Sequence, residues 1–129
     1  MIRGIEFEDI DLVVDLVYEL NNIREHSSEF CYSEKDAIRK GVMESIEGKN
    51  HISLGDFDEI GVLKGVILLY MESDNKNADC IGIFVDKKYD YMKTGDSLLR
   101  HARRLLPSDF KITFFFPCEN TEYKKIVGK

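Results

Sequence analysis

Two prolines and three cysteines in 129 residues are few of either. Only Pro107 and Pro117 punctuate the chain, and no repeat, low-complexity segment or Pro, Gly and Ser-rich linker divides it. Cys31, Cys80 and Cys118 are widely spaced, odd in number and without a CxxC. A disulfide framework and a zinc site are thereby excluded, and the thiols read as reduced and packed like small apolar groups. His26, His51 and His101 are equally scattered, and none has a Cys, Asp or Glu at a recognisable metal-ligand spacing, so no metal is expected. Long apolar runs are missing too. Gly65 to Met71 and Ile112 to Pro117 fall far below the ~20 residues needed to cross a bilayer, and the acidic opening lacks the basic region of a signal peptide. The expectation is a soluble, cytoplasmic protein without a membrane partner. Positive charge is also scarce: 18 Lys plus Arg against 24 Asp plus Glu leave a formal charge of -6, which repels a phosphate backbone and argues against general nucleic-acid binding.

What is present is an ordinary globular composition, with 43% apolar residues and room for one packed core. Charge is uneven. Residues 1–36 carry ten acids against three bases, whereas residues 87–104 carry six bases against two acids and could hold an anion. Within that basic stretch Arg100, Arg103 and Arg104 share one helical face, which is most simply a solvated surface. The aromatics Phe114 to Phe116 fall in a segment read as a buried strand, so they offer no stacking platform for nucleic acid.

Periodicity divides the chain into elements. Ile2 to Phe7 alternates as a short strand. Ile10, Val13, Val14, Val17 and Leu20 recur at helical spacing behind the acidic Glu8, Asp9 and Asp11, which suit a helix N-terminus. After a polar loop around Asn21 to Tyr32, the spacing of Ser33 to Asp36 resembles a capping box for a second helix that stops near Gly48. His51 to Phe57 and Val62 to Glu72 read as a hairpin about the turn Asp58 to Gly61. A second turn at Asp74 to Asn77 leads to a central strand, Cys80 to Val85. The pattern Leu98, Leu99, Ala102, Leu105 and Leu106 marks a helix beginning between Tyr91 and Asp96 and closed by Pro107. Phe110 to Phe116 is a strand by its aromatic content, and Glu119 to Gly128 a short final helix. The order β-α-α-β-β-β-α-β-α implies an α/β (α+β) fold: a mixed central sheet whose last β-α-β unit is parallel and right-handed, with helices on both faces in three layers.

This order, together with Ile83-Phe84-Val85-Asp86-Lys87-Lys88-Tyr89 leading to Gly95, Leu98, Leu99 and Ala102, resembles the GNAT superfamily of acyl-CoA-dependent N-acetyltransferases. Softer matches are the opening Ile2-Arg3 followed by Glu8-Asp9-Ile10-Asp11, and Leu63-Lys64-Gly65-Val66. The resemblance covers nearly the whole chain as one domain, 1–129. It implies transfer of an acetyl group from acetyl-CoA to an amine acceptor, a small molecule or a peptide. The backbone of Phe84 and Val85 would hold the pantetheine arm. The pyrophosphate would rest on the turn from strand to helix, on amides or side chains of Lys93, Thr94, Gly95, Asp96 and Ser97, where a helix N-terminus attracts phosphate on physical grounds as well.

The chain departs from the family pattern at three places. In the phosphate loop, Asp90-Tyr91-Met92-Lys93-Thr94-Gly95 keeps only the last glycine; Asp90 stands where the family has Arg or Gln, and Lys93 where it has glycine. After the fifth strand Asn120 fits a family Asn, but the position of the family's acidic tyrosine falls on Val127, leaving Tyr123 one helical turn earlier. The chain stops at Gly128-Lys129, where the family continues into two more strands. Catalytic candidates are therefore Tyr123 as acid and Glu72 and Asp79, flanking the third and fourth strands, as base. Positioning can supply much of the rate even without a base. An open sheet edge would favour a homodimer or pairing with a missing C-terminal segment. Two functions stay open: an acetyltransferase, or a catalytically degenerate GNAT-like lobe acting as a binding or structural module.

Overall fold

The computed structural model describes residues 1–21 and 34–114. In chain order these form β1 (Ile2–Gly4), α1 (Ile10–Asn21), α2 (Lys35–Glu47), β2 (His51–Phe57), β3 (Leu63–Glu72), β4 (Asn77–Val85), α3 (Tyr91–Leu105) and β5 (Lys111–Phe114). The five strands make one mixed sheet in sequential order; β1 to β4 pair antiparallel, and β5 runs parallel to β4 after the crossover through α3.

Alternation along the strands sorts the apolar residues into two cores. On one face, Val13, Val14, Val17 and Leu20 of α1 and Ile38 and Val42 of α2 meet Val66, Leu68 and Phe84. On the other, Leu98, Leu99 and Ala102 of α3 meet Ile67, Leu69, Ile83 and Val85. The result is the expected three-layer arrangement, with helices on both faces.

The turns follow from local chemistry. Between β2 and β3, Asp58 Oδ1 accepts from the amides of Ile60 at 3.0 Å and Val62 at 2.8 Å. Gly61 takes φ 88°, a region that favours glycine. Between β3 and β4 the chain makes a 3-10 turn, Ser73–Asn75, and reverses through Lys76 at φ 50°.

Several boundaries differ from the sequence reading. The first strand ends at Gly4 rather than Phe7, because Asp9 draws the chain into a 3-10 turn at Phe7–Asp9. Its carboxylate accepts from the Arg3 guanidinium at 2.7 and 3.1 Å and from the Glu6 amide at 2.9 Å. The second helix is capped at Glu34 with no side-chain hydrogen bond, and the box expected between Ser33 and Asp36 involves Ser33, which lies outside the described residues. The fourth strand starts at Asn77, earlier than Cys80, since Asn77 to Asp79 pair with both β3 and β5 despite their polarity. The described part of β5 is half-buried rather than buried, having one strand neighbour among the described residues. Phe115, Phe116 and the final helix expected at Glu119 to Gly128 lie outside those residues. No helix among the described residues is long and apolar enough to cross a membrane.

Candidate functional site

β4 carries one extra residue at its centre. Cys80 stands opposite Leu69 and Gly82 opposite Leu68, so Ile81 is inserted between them as a β-bulge. A bulge bends its strand and re-aims its side chains, and such features concentrate beside functional sites. Here it sits on the strand that leads directly into α3.

That junction is tightly built. Asp86 N–H donates to Lys64 O at 2.8 Å, Tyr89 N–H to Asp86 O at 2.9 Å, and Lys88 N–H to Asp86 Oδ1 at 3.0 Å. α3 then lies close over β3 at Gly65. A methyl group there would stand 3.0 Å from Phe84 O, 3.1 Å from Thr94 Cγ2 and 3.3 Å from Leu98 Cδ1. Glycine at position 65 is what allows the first turns of the helix to reach the sheet.

Asp90 is the N-cap of α3. Its Oδ1 accepts from Lys93 N–H at 3.2 Å and its carbonyl from Thr94 N–H at 3.0 Å. The expectation that amides from Lys93 to Ser97 face a phosphate therefore needs correction. Lys93 N–H is held by the Asp90 carboxylate, and those from Thr94 onward lie inside the helical ladder, which begins one turn after the cap. Thr94 and Gly95 are buried against the sheet, whereas Lys93 and Ser97 are exposed and Asp96 pairs with Arg100 at 3.0 Å. Phe84 and Val85 are almost fully buried, one on each face, so their backbones rather than their side chains are what a ligand along β4 would meet.

The other candidates gather on the face covered by α1 and α2. Strand register aligns His51, Tyr70, Asp79 and Thr113 in one row across four strands. The rings of His51 and Tyr70 are 5.0 Å apart. Asp79 Oδ1 accepts from Asn77 Nδ2 at 2.9 Å, and Asn77 Oδ1 accepts from Thr113 Oγ1 at 2.8 Å. Asn75 Nδ2 donates to Glu72 Oε2 at 3.1 Å. Burial, then the hydrogen bond and charge of the Glu72 carboxyl, hold the Asp79 carboxyl above the ordinary carboxylate range against the opposing bond from Asn77. Glu72 and Asp79, separate turn charges in the sequence, are thus one interacting pair.

Beside this row lies a cavity of about 200 Å³ between α2 and the sheet. Val17, Ile38, Val42, Leu68 and the bulge residue Ile81 form its apolar wall, with His51 and Glu44 as its charge-bearing members. His51 Nδ1 is buried with no hydrogen-bond partner among the described residues. Burial lowers the His51 pKa, opposed by the nearby Gly48 backbone and the Glu44 charge. His51 and Tyr70 were not selected from the sequence; counting outward from the turn at Asp58 to Gly61 sets His51 against Leu68, and it is the register shift at Asp56 and Phe57 that brings Tyr70 opposite it. Tyr123 and Asn120 lie outside the described residues. Among the described residues no group of three or more His, Cys, Asp or Glu is placed to hold a metal.

No protein-family model matches the chain, and no curated protein does. Solved structures match its fold. One, described as a "probable acetyltransferase", superposes with a TM-score of 0.78 at 17% identity over 99% of this chain and 86% of the other. The spermidine N-acetyltransferase from Vibrio cholerae, solved with CoA and spermine, gives 0.73 at 16% over 99% and 77%. The PaiA N-acetyltransferase from Thermoplasma acidophilum, solved with coenzyme A, gives 0.62 at 20% over 81% and 70%. At these identities the likeness speaks for the fold: the chain has the fold of the GNAT N-acetyltransferases, as the segment from Ile81 to Ala102 led one to expect.

Proposed function

We propose that the chain transfers an acetyl group from acetyl-CoA to a primary amine. The observation that carries this reading is the bulge at Ile81. It lies on β4 between Asp79, which interacts with the Glu72 carboxyl of β3, and the Phe84–Val85 backbone that runs on to the α3 N-terminus. Two of the fold neighbours were solved with coenzyme A, which supports that class of donor here. When bound, acetyl-CoA supplies a thioester carbonyl open to an amine lone pair. The backbone of Phe84 and Val85 would hold its arm, and the exposed Lys93 and Ser97 side chains stand near the helix end where its phosphates would lie.

The protein's own contribution is positional and protolytic. An amine arrives protonated at neutral pH and attacks only after losing that proton. The Asp79–Glu72 pair takes it, and a base whose pKa is raised toward the working pH transfers a proton more effectively than an ordinary carboxylate. Attack would form the carbon–nitrogen bond, break the carbon–sulfur bond and release coenzyme A, whose sulfur takes up the proton the amine loses on becoming an amide. The apolar walls at Leu68 and Ile81 would flank the body of the acceptor. Orientation of the neutral amine supplies the rest of the acceleration.

A second reading has its own observation. The Asp90 carboxylate occupies the cap of α3, the position from which a phosphate would be bound, and like charge disfavours an anion there. In that reading the chain is a GNAT-like binding or structural module. Calorimetric titration with acetyl-CoA up to millimolar concentration separates the two. Saturable heat, with acetyl transfer to added amine seen by mass spectrometry, supports the transferase; no heat supports the module.

A further inference from the structure

The acceptor's chemical class can be read from the cavity beside β4, on the footing of the transferase reading above. We propose that it takes a primary amine with a compact apolar body, one ring or a short branched chain, and not a polyamine. The cavity is about 200 Å³, and an apolar cavity of about 150 Å³ already admits benzene. One ring with a short linker therefore fills it.

Three independent features point to an occupant of this kind. The first is Gly41, at the middle of α2, where glycine weakens a helix. It lines the cavity, and a Cβ built there meets nothing within 4 Å. A larger residue would be accommodated there, and would occupy the space instead of a ligand. The second is the wall itself, in which Val17, Ile38, Leu68 and Ile81 offer no partner to the second and third ammonium groups of a polyamine. The third is the polar group content. The buried Nδ1 of His51 has no partner among the described residues, and Glu44 is the one carboxyl among the described residues lining the cavity, a match for a single ammonium. Asp79 precedes Ile81 by two residues on the same face, roughly 7 Å along the strand. One ammonium on a short linker spans that distance.

The test uses 2-phenylethylamine, 2-phenylethanol and spermidine as probes of the whole chain, with binding measured by calorimetry in the absence of acetyl-CoA. Expected are saturable binding of 2-phenylethylamine at least tenfold tighter than of spermidine, and loss of at least tenfold in Gly41→Leu, which fills the cavity with a helix-favouring residue. Asp79→Asn should weaken 2-phenylethylamine by tenfold while leaving the neutral 2-phenylethanol within twofold. Tighter binding of spermidine, no binding of 2-phenylethylamine, or an indifferent Gly41→Leu each overturns the proposal. A parallel acetyl-CoA titration keeps the outcomes separate: its failure removes the transferase reading, whereas failure of the amine titrations removes the acceptor class alone.

Discussion

Asp90 should trade helix stability against anion binding, and the two effects can be separated with two substitutions. In Asp90→Ala the cap is lost. Removing a side-chain cap costs about 0.5–2 kcal/mol, and the 3.2 Å bond to Lys93 N–H is at the long end of the N–H···O range. The lower half of that span applies, about 1 kcal/mol, or roughly 3–5 °C in Tm for a domain of this size. Asp90→Asn keeps an oxygen acceptor at the cap and should hold Tm within about 1 °C, since Asn and Asp cap equally well. It removes the charge, however. For a phosphate seated about 6 Å away in water the repulsion is about 0.7 kcal/mol per charge, roughly threefold in affinity, and a pyrophosphate bearing two charges gains up to about tenfold at low salt, less as screening rises. Thermal unfolding by circular dichroism reads the first effect, and acetyl-CoA calorimetry at two ionic strengths reads the second. If Asp90→Ala melts with the parent, Asp90 does not act as a cap. If Asp90→Asn binds acetyl-CoA no better than the parent at low salt, the carboxylate does not face the phosphates.

Three further outcomes follow from packing and titration. Gly65→Val should destabilise by about 1–3 kcal/mol, the range for forcing extra carbons into a packed site, because one of its near neighbours is the fixed carbonyl of Phe84; a urea midpoint equal to the parent's would sink this. Asp9→Asn should lower Tm at pH 7, since hydrogen bonds from Arg3, offset by burial, hold the Asp9 carboxyl below its ordinary pKa. That stability is present above the unfolded value of 3.8 and is lost as pH falls through the depressed folded value, so the two melting curves should converge under acid. His51 has its folded pKa below the unfolded 6.5, so it withdraws stability as pH falls from above 6.5 toward the depressed value. His51→Phe should flatten that part of the stability profile, and an unchanged slope between pH 7 and 5 would show that His51 does not titrate as its burial requires.

Local pattern was enough to establish the elements. The spacing of Val13, Val14, Val17 and Leu20, the alternation on either side of the Asp58 to Gly61 turn, and the change to helical period after Val85 each reflect burial of one face by short-range geometry, and those elements appear where the periodicity put them. The parallel pairing of β5 with β4 was also legible, because a strand, a helix and a strand leave few ways to connect. What only tertiary structure decided depends on register and on competition for hydrogen bonds. Asp9 closing on Arg3 shortened the first strand, a choice between ladder and turn that alternation alone does not show. The bulge at Ile81 inserts one residue without a compositional mark, yet it sets which side chains share a face beyond it. Asp90 read in sequence as a misplaced charge and became a helix cap once the start of α3 was located. The row of His51, Tyr70 and Asp79 joins residues from three strands, and the cavity beside it adds two helices. Neither exists until those strands are in register, because a one-residue slip would turn every one of these side chains to the opposite face.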